Sequence, residues 1–358
     1  MLFNIEGDVG AIVKGYVIPD SYDAHSRIVV RSGGQEVFSG LANHPMEYTV
    51  VPGRHADHAC RFYIDINQCK DLDKFEDLEV REKETDQLIY RRRTRDHVSK
   101  KLFRLESHLL PLWRLDRALD SKFQYSGTRL ENLGRETLLQ TLTLWHVDSV
   151  YLTGRVLYRS IETYLDNGFH IAFVMHHPYE ELAERIFVLR QMKETGTDLL
   201  GTRDAHALRP VISFVADLPL ADDRALARAL RGMPADVARA LANPATLQLT
   251  SLTPDEPLAP RALTQALATL ASFRIVGLRR AARTFLDALC EFVETPCETL
   301  PITQSLPGVK SLAQRLRATG AVDGLLELDL QLYRHIAEAY RKAGVAPAAQ
   351  SAQRRSIL

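Results

Sequence analysis

Along residues 1–95 the apolar positions come in short runs broken by turn residues, a pattern that predicts β-structure. The clearest runs are AIVKGYVI (11–18) and RIVV (27–30), with Gly33-Gly34 following the second. Cys60, Phe62, Ile64 and Ile66 alternate with polar neighbours, as do Leu78 and Val80. Each set predicts one face of a half-buried strand. KETDQ (83–87) reads as a hairpin turn into Leu88-Ile89-Tyr90, and Pro19, Pro45 and Pro52-Gly53 punctuate the stretch. Many short strands at this spacing predict a small β-sandwich.

From Val98 the period changes. Buried strands are predicted at 101–105, 149–152 and 170–175, the last reading HIAFVM. Helices are predicted at 155–165 and 179–192; the second has Pro178 at its start and an acidic first turn. Beyond residue 200 the pattern is mostly helical, over 224–233, 234–243, 261–273, 278–293 and 325–343, with a strand-like island at Phe273–Leu278. Strands alternating with helices predict an α/β sheet. The organisation expected is therefore a sandwich over 1–95, an α/β domain over 98–345, and a frayed tail over 346–358.

Composition sharpens this picture. The chain has 358 residues, long enough for two domains with proper cores. Lys+Arg and Asp+Glu number 45 each, giving a formal net charge of zero, which argues against a global basic field for nucleic acid. No run approaches the roughly 18 apolar residues of a membrane span. MLFNIEGDVG has no basic stretch leading into an apolar one, so no secretory signal is expected. Cys60, Cys69, Cys290 and Cys297 show no CxxC spacing, which fits free thiols in a reducing, cytoplasmic compartment.

Segments 169–190, 241–252, 261–289 and 327–340, taken in order, resemble the sulfotransferase superfamily, with the carbohydrate sulfotransferases nearest in flavour. FHIAFVMHHPYEELAERIFVLR (169–190) is similar to the family's strand, phosphate-binding turn and helix. Asn243, Thr246 and Leu249 fit an Asn-x-x-Thr-x-x-Leu stretch, and Asp329, Leu332 and Tyr333 fit the last family helix. The Val276-Gly277-Leu278 strand end also matches. The resemblance covers about 100–345. It implies a sulfotransferase-like (P-loop-NTPase-like) parallel sheet flanked by helices. It also implies the donor 3′-phosphoadenosine 5′-phosphosulfate (PAPS) and an acceptor hydroxyl on a glycan. Residues 7–93 resemble the accessory β-modules of bacterial glycan-processing proteins.

Two positions depart from the family. Its first strand runs into a Gly- and Lys-bearing phosphate loop, in which backbone N–H groups, a cation and a helix dipole meet the donor. Residues 103–111 read FRLESHLLP, with neither Gly nor Lys, and with a carboxylate at Glu106. The family's Arg-Asp-Pro is His176-His177-Pro178 here, and Glu184 stands near its expected Ser.

Sulfuryl transfer needs a base for the acceptor and fixed cations for the charge that spreads over oxygens. His108 is the candidate base, with Glu106 the alternative; Glu106 equally suits pairing with Arg104 or Lys101. His176 and His177 follow the strongest strand, where α/β sheets bind ligands, and are candidates to touch a phosphate or sulfate. No metal is expected, since adjacent histidines on a turn seldom converge and no Asp, Glu or Cys stands at diagnostic spacing. Arg155 and Arg159, one helical turn apart, predict a shared anion-binding face. Arg279-Arg280 correspond to a position that faces the nucleotide in the family. Trp113 and Trp145 suit a core better than a glycan platform. RRRTR (91–95) reads either as an anion grip or as a solvated strand end.

Two principal functions follow. One is a divergent sulfotransferase modifying a bacterial surface polysaccharide. The other is a non-catalytic glycan- or protein-binding protein on the same fold. A different transferase and a nucleic-acid regulator rank behind them. The partners expected are a glycan or an anionic small molecule, without nucleic acid or a membrane span.

Overall fold

A computed structural model of the chain describes residues 1–46, 53–144, 147–195, 200–296, 300–301 and 305–344. Pro52, Trp145, Cys297 and the 346–358 tail lie outside the described residues. Two compact units are present: Met1–Lys101 with Leu119–Thr128 and Leu133–Leu152, and Leu102–Ala118 with Arg129–Asn132 and Thr153–Leu358.

The first unit opens with β1 (Leu2–Asp8), β2 (Ile12–Ile18), β3 (Arg27–Ser32), β4 (Gln35–Leu41), β5 (His44–Pro45), β6 (Ala59–Asp65), β7 (Glu79–Glu82) and β8 (Leu88–Arg91). They form two antiparallel sheets, β1-β2-β6-β5 and β4-β3-β7-β8. Phe62 and Ile64 of one sheet line a small cavity with Ile28 and Phe38 of the other, as in a sandwich. Burial follows the alternation read from the chain: Cys60, Phe62 and Ile64 are buried, and so are Leu78 and Val80. Ile66 does not continue the pattern and is exposed. The strand stops at Asp65, whose carboxylate accepts the N–H groups of Asn67 and Gln68 and turns the chain. The 83–87 hairpin forms as expected, closed by Thr85 donating to Glu82.

Arg91 and Arg92 depart from both readings of the 91–95 run, whereas Arg93 and Arg95 are exposed after the end of β8. Arg91 is buried and donates to Glu79, to Asp120 and to the Phe123 carbonyl. Arg92 meets Asp8 through two hydrogen bonds of 2.8 and 2.9 Å. Arg93 pairs with Asp148. Arg91 and Arg92 are neither a ligand grip nor a solvated end, because carboxylates of the same unit take them up.

A five-stranded sheet adds β9 (Lys101–Leu105), β10 (Tyr125–Gly127), β11 (Val150–Gly154), β12 (Phe169–Met175) and β13 (Ile275–Leu278) in the order β10-β11-β9-β12-β13. The pairs β10–β11 and β12–β13 are parallel. The earliest strand, β9, is central, so successive connections leave it toward opposite edges. Such a reversal opens a crevice at the carboxyl ends of the strands.

The helices are α1 (Trp113–Asp120), α2 (Arg135–Leu142), α3 (Glu162–Leu165), α4 (Pro178–Thr195), α5 (Thr202–Ala207), α6 (Arg209–Ala216), α7 (Asp223–Arg231), α8 (Ala235–Leu241), α9 (Pro244–Thr250), α10 (Ala262–Ser272), α11 (Ala282–Val293), α12 (Val309–Thr319) and α13 (Glu327–Lys342). Helix α4 packs against α6 and α12, and Leu182, Ile186 and Leu189 share a core with Val211, Val215, Leu312 and Leu316. It is buried on nearly every side, including its charged residues Glu181, Glu184 and Arg185. Gly277 lets α11 approach β13, since a Cβ there would stand 2.6 Å from the Phe285 ring.

The helix expected over 155–165 does not form. Arg155–Leu157 stay irregular, Tyr158–Ser160 make a 3-10 turn, and only α3 is helical. The backbone is claimed by tertiary partners: the Arg155 N–H donates to Glu131, and Gln248 donates to the Val156 carbonyl. Gly154 admits this approach, because a Cβ there would lie 2.8 Å from Leu130. Trp113 also departs from the core reading. It is 47% exposed at the start of α1, with Arg114 and Arg117 over its ring. Among the described residues, no helix is long and apolar enough to cross a membrane.

Candidate functional site

A cavity of about 570 Å³ opens in the second unit at the carboxyl ends of β12 and β13. Strand β12 delivers His176 and His177 to its wall, and β13 delivers Arg279 and Arg280. Helix α12 adds Lys310, Gln314 and Arg317, and α13 adds Tyr333. Four permanent cations, Arg279, Arg280, Lys310 and Arg317, therefore face one carboxylate, Glu180. That imbalance is concentrated in a chain whose net charge is zero. Arg280, Lys310 and Arg317 form no ion pair among the described residues; Arg280 instead lies 5.1 Å over the Tyr333 ring. The Tyr333 hydroxyl is buried without a hydrogen-bond partner among the described residues, and burial pushes its pKa up to about 12, so it remains a donor. His177 stacks on Tyr179 and meets Tyr333 edge-on, with ring centroids 5.7 and 4.7 Å apart.

A second group of polar residues is buried just after β9. Arg104 reaches Glu106 at 2.5 Å and Asp116 at 2.7 Å. Glu106 also accepts the backbone N–H groups of His108 and Leu112, at 3.1 and 3.2 Å, and the His108 ring at 2.6 Å. Burial alone would raise the Glu106 pKa; the charges of Arg104 and His108 and their hydrogen bonds hold it well below the usual carboxylate range. Backbone donors that a phosphate loop would offer to a ligand are thus turned onto the chain's own carboxylate. Leu109 completes the arrangement by entering the apolar core beside α4.

The structure sorts the eight candidates into three groups. His176, His177, Arg279 and Arg280 meet in one cavity. Glu106 and His108 are fully buried behind it, at 1% and 0% exposure, and do not line it. Arg155 and Arg159 share no helix face and lie outside the cavity. Arg155 is engaged by Asp204 and by the His108 and Leu109 carbonyls, so it braces the loop after β9. Arg159 donates to the Thr250 carbonyl at 3.3 Å. Asn243, Thr246 and Asp329 join the start of α9 to the start of α13. The Asn243 side chain accepts from the N–H groups of Leu328 and Asp329, and Asp329 accepts from Thr246.

Compared with models of known protein families, no model matches the chain, and no curated protein matches it. The site is accordingly read from its own geometry. Sequence reasoning missed Lys310, Arg317 and Tyr333. One signal was present: Lys310, Gln314 and Arg317 recur at i, i+4 and i+7, a polar stripe on α12 opposite its buried Leu312 and Leu316.

Proposed function

We propose that this chain binds a small molecule bearing phosphate or sulfate groups, in the cavity at the ends of β12 and β13, on a sulfotransferase-like sheet that performs no sulfuryl transfer. The observation that carries this reading is the four-to-one excess of cations around an unpartnered Tyr333 hydroxyl. Guanidinium and ammonium groups beside a neutral donor suit tetrahedral oxyanions. The occupied loop after β9 supports binding over transfer, since its N–H groups are spent on Glu106. In this reading the first unit serves as an accessory module for a glycan or protein partner. A cytoplasmic setting is part of the proposal, supported by the buried free thiols Cys60 and Cys69.

A second reading is a divergent sulfotransferase passing a sulfuryl group from PAPS to a hydroxyl of a bacterial surface glycan. It is favoured by the position of the cavity at strand carboxyl ends beside a central first strand. The test is calorimetry with 3′-phosphoadenosine 5′-phosphate and with inorganic phosphate, on the unaltered chain and on Arg280→Ala and Lys310→Ala. Micromolar binding that both variants lose supports the site. No heat at millimolar ligand would sink both readings. Transfer of labelled sulfate from PAPS to a glycan acceptor would select the second.

A further inference from the structure

We propose that His108, His176 and Glu181 together hold a divalent transition-metal ion of the zinc class, with Glu184 beside them. One ring nitrogen of each histidine and one Glu181 carboxylate oxygen lie within 4.8 Å of one another, and all three residues are buried. Exposure is 0% for His108, 3% for His176 and 7% for Glu181.

Hydrogen bonding fixes what these atoms offer. His108 Nδ1 lies 2.6 Å from Glu106, a carboxylate that accepts only, so the ring proton sits on Nδ1. In the neutral ring its Nε2 is then a lone pair, and that atom is buried without a hydrogen-bond partner among the described residues. His176 differs, since neither of its ring nitrogens has a hydrogen-bond partner among the described residues. Its Nε2 stands 3.1 Å from Glu180, and its Nδ1 faces Glu181 Oε2 at 3.6 Å. Glu181 is oriented from the other side by Arg185, which donates to Oε1 at 2.8 Å, while Oε2 has no hydrogen-bond partner. Glu184, one turn further along α4, brings another buried oxygen without one.

His108 Nε2, His176 Nδ1 and Glu181 Oε2 therefore converge in a dry interior with no hydrogen-bond partner among the described residues, which is costly unless a proton or a metal ion lies among them. Two imidazole nitrogens and a carboxylate form a ligand set that zinc takes, with a further position open. Ligands on a tetrahedral ion at roughly 2.0–2.1 Å stand about 3.4 Å apart, close to the 3.6 Å between His176 and Glu181. His108 gives its remaining ring nitrogen to Glu106, the outer contact that orients metal-bound imidazoles, and Glu180 stands 3.1 Å from the remaining nitrogen of His176. A second group, His25, His55 and Asp57, is more open, since the Asp57 side chain is 55% exposed. Its rings bond the Ala59 and Ala24 carbonyls, and His55 pairs directly with Asp57 at 2.8 Å.

The ion would tie the loop after β9 to the end of β12 and the first turns of α4. The metal site shares His176 with the anion cavity, whereas His108 and Glu181 do not line that cavity, so variants at these two residues test the metal by itself. The test uses full-length chain purified without a histidine tag, with metal content measured by mass spectrometry. Chelator-treated chain is then titrated with Co²⁺ and followed by its visible absorption. We expect about one zinc per chain and the intense bands of tetrahedral Co²⁺. His108→Gln and Glu181→Gln should lower metal content at least about tenfold, while His55→Gln retains it. Metal content near zero in folded chain that also gives no Co²⁺ bands would overturn the proposal, as would full retention in His108→Gln. If the variants do not fold, the Co²⁺ titration of the unaltered chain decides.

Discussion

Arg91, Arg92 and Arg93 each meet a carboxylate of their own unit, whereas Arg280 rests on a tyrosine ring beside Lys310 and Arg317. In the sequence both stretches are adjacent arginines following a strand. What separates them is the acid supply. Glu79, Asp120, Asp8 and Asp148 surround the first set, and Glu180 is the one carboxylate lining the cavity of the second. A basic run is therefore informative about ligands only once its carboxylate partners are located. The first stretch spends its charge on folding, and the second keeps its charge for a partner.

The largest effect expected from this contrast is on stability. Arg91→Ala leaves the Glu79 and Asp120 carboxylates and the Asp120 and Phe123 carbonyls without their shared donor. Truncating a buried pair costs about 3–5 kcal/mol, and the partial exposure of both carboxylates reduces this to about 2–3 kcal/mol. Urea unfolding measures it; a loss below about 0.5 kcal/mol would erase the contrast. Arg280→Ala is expected to cost less than about 1 kcal/mol of stability, since its main contact is a cation over a ring. The same variant should weaken calorimetric phosphate binding by about tenfold to a hundredfold, the worth of a hydrogen bond to a charged group.

How much of this was legible depended on whether the signal was local. Strand β9 lies at 101–105 as its apolar run predicts, and α4 begins at Pro178 with Glu180 and Glu181 in its first turn. Both rest on neighbours within one turn or one pleat. The helix expected at 155–165 failed because Gln248 and Glu131 capture its backbone from far along the chain. The cavity was half legible: His176, His177, Arg279 and Arg280 follow strand ends, where the topology itself brings them together. Lys310, Arg317 and Tyr333 come from helices whose docking no local pattern encodes. The convergence of His108 with Glu181 is likewise set by sheet order, because β9 and β12 are neighbours though they start at Lys101 and Phe169, far apart in the chain.

Tyr333→Phe sharpens the comparison within the cavity. The hydroxyl has no protein partner among the described residues, so its removal should leave stability within about 0.5 kcal/mol. Phosphate affinity should fall by about tenfold, because a donor to an anion is lost. Equal affinity in Tyr333→Phe and the unaltered chain would show that the hydroxyl does not face the ligand.

The smallest effect concerns Asp8, the partner of Arg92. Burial pushes its pKa up, but hydrogen bonds from Arg92, the Gly10 N–H and Tyr90 outweigh that and hold it below the ordinary carboxylate value. A carboxyl lowered in the folded state stabilises above its unfolded pKa, and that contribution is lost as pH falls through the folded value. Stability should therefore decline as pH drops below about 4, partly through Asp8. Asp8→Asn is less stable than the unaltered chain at neutral pH, and the gap narrows as acid protonates Asp8. Urea midpoints of the two chains, compared between about pH 7 and pH 3, test this. A gap that stays constant with pH would mean that Arg92 gains nothing from the charge on Asp8, and the first arginine stretch would then resemble the second.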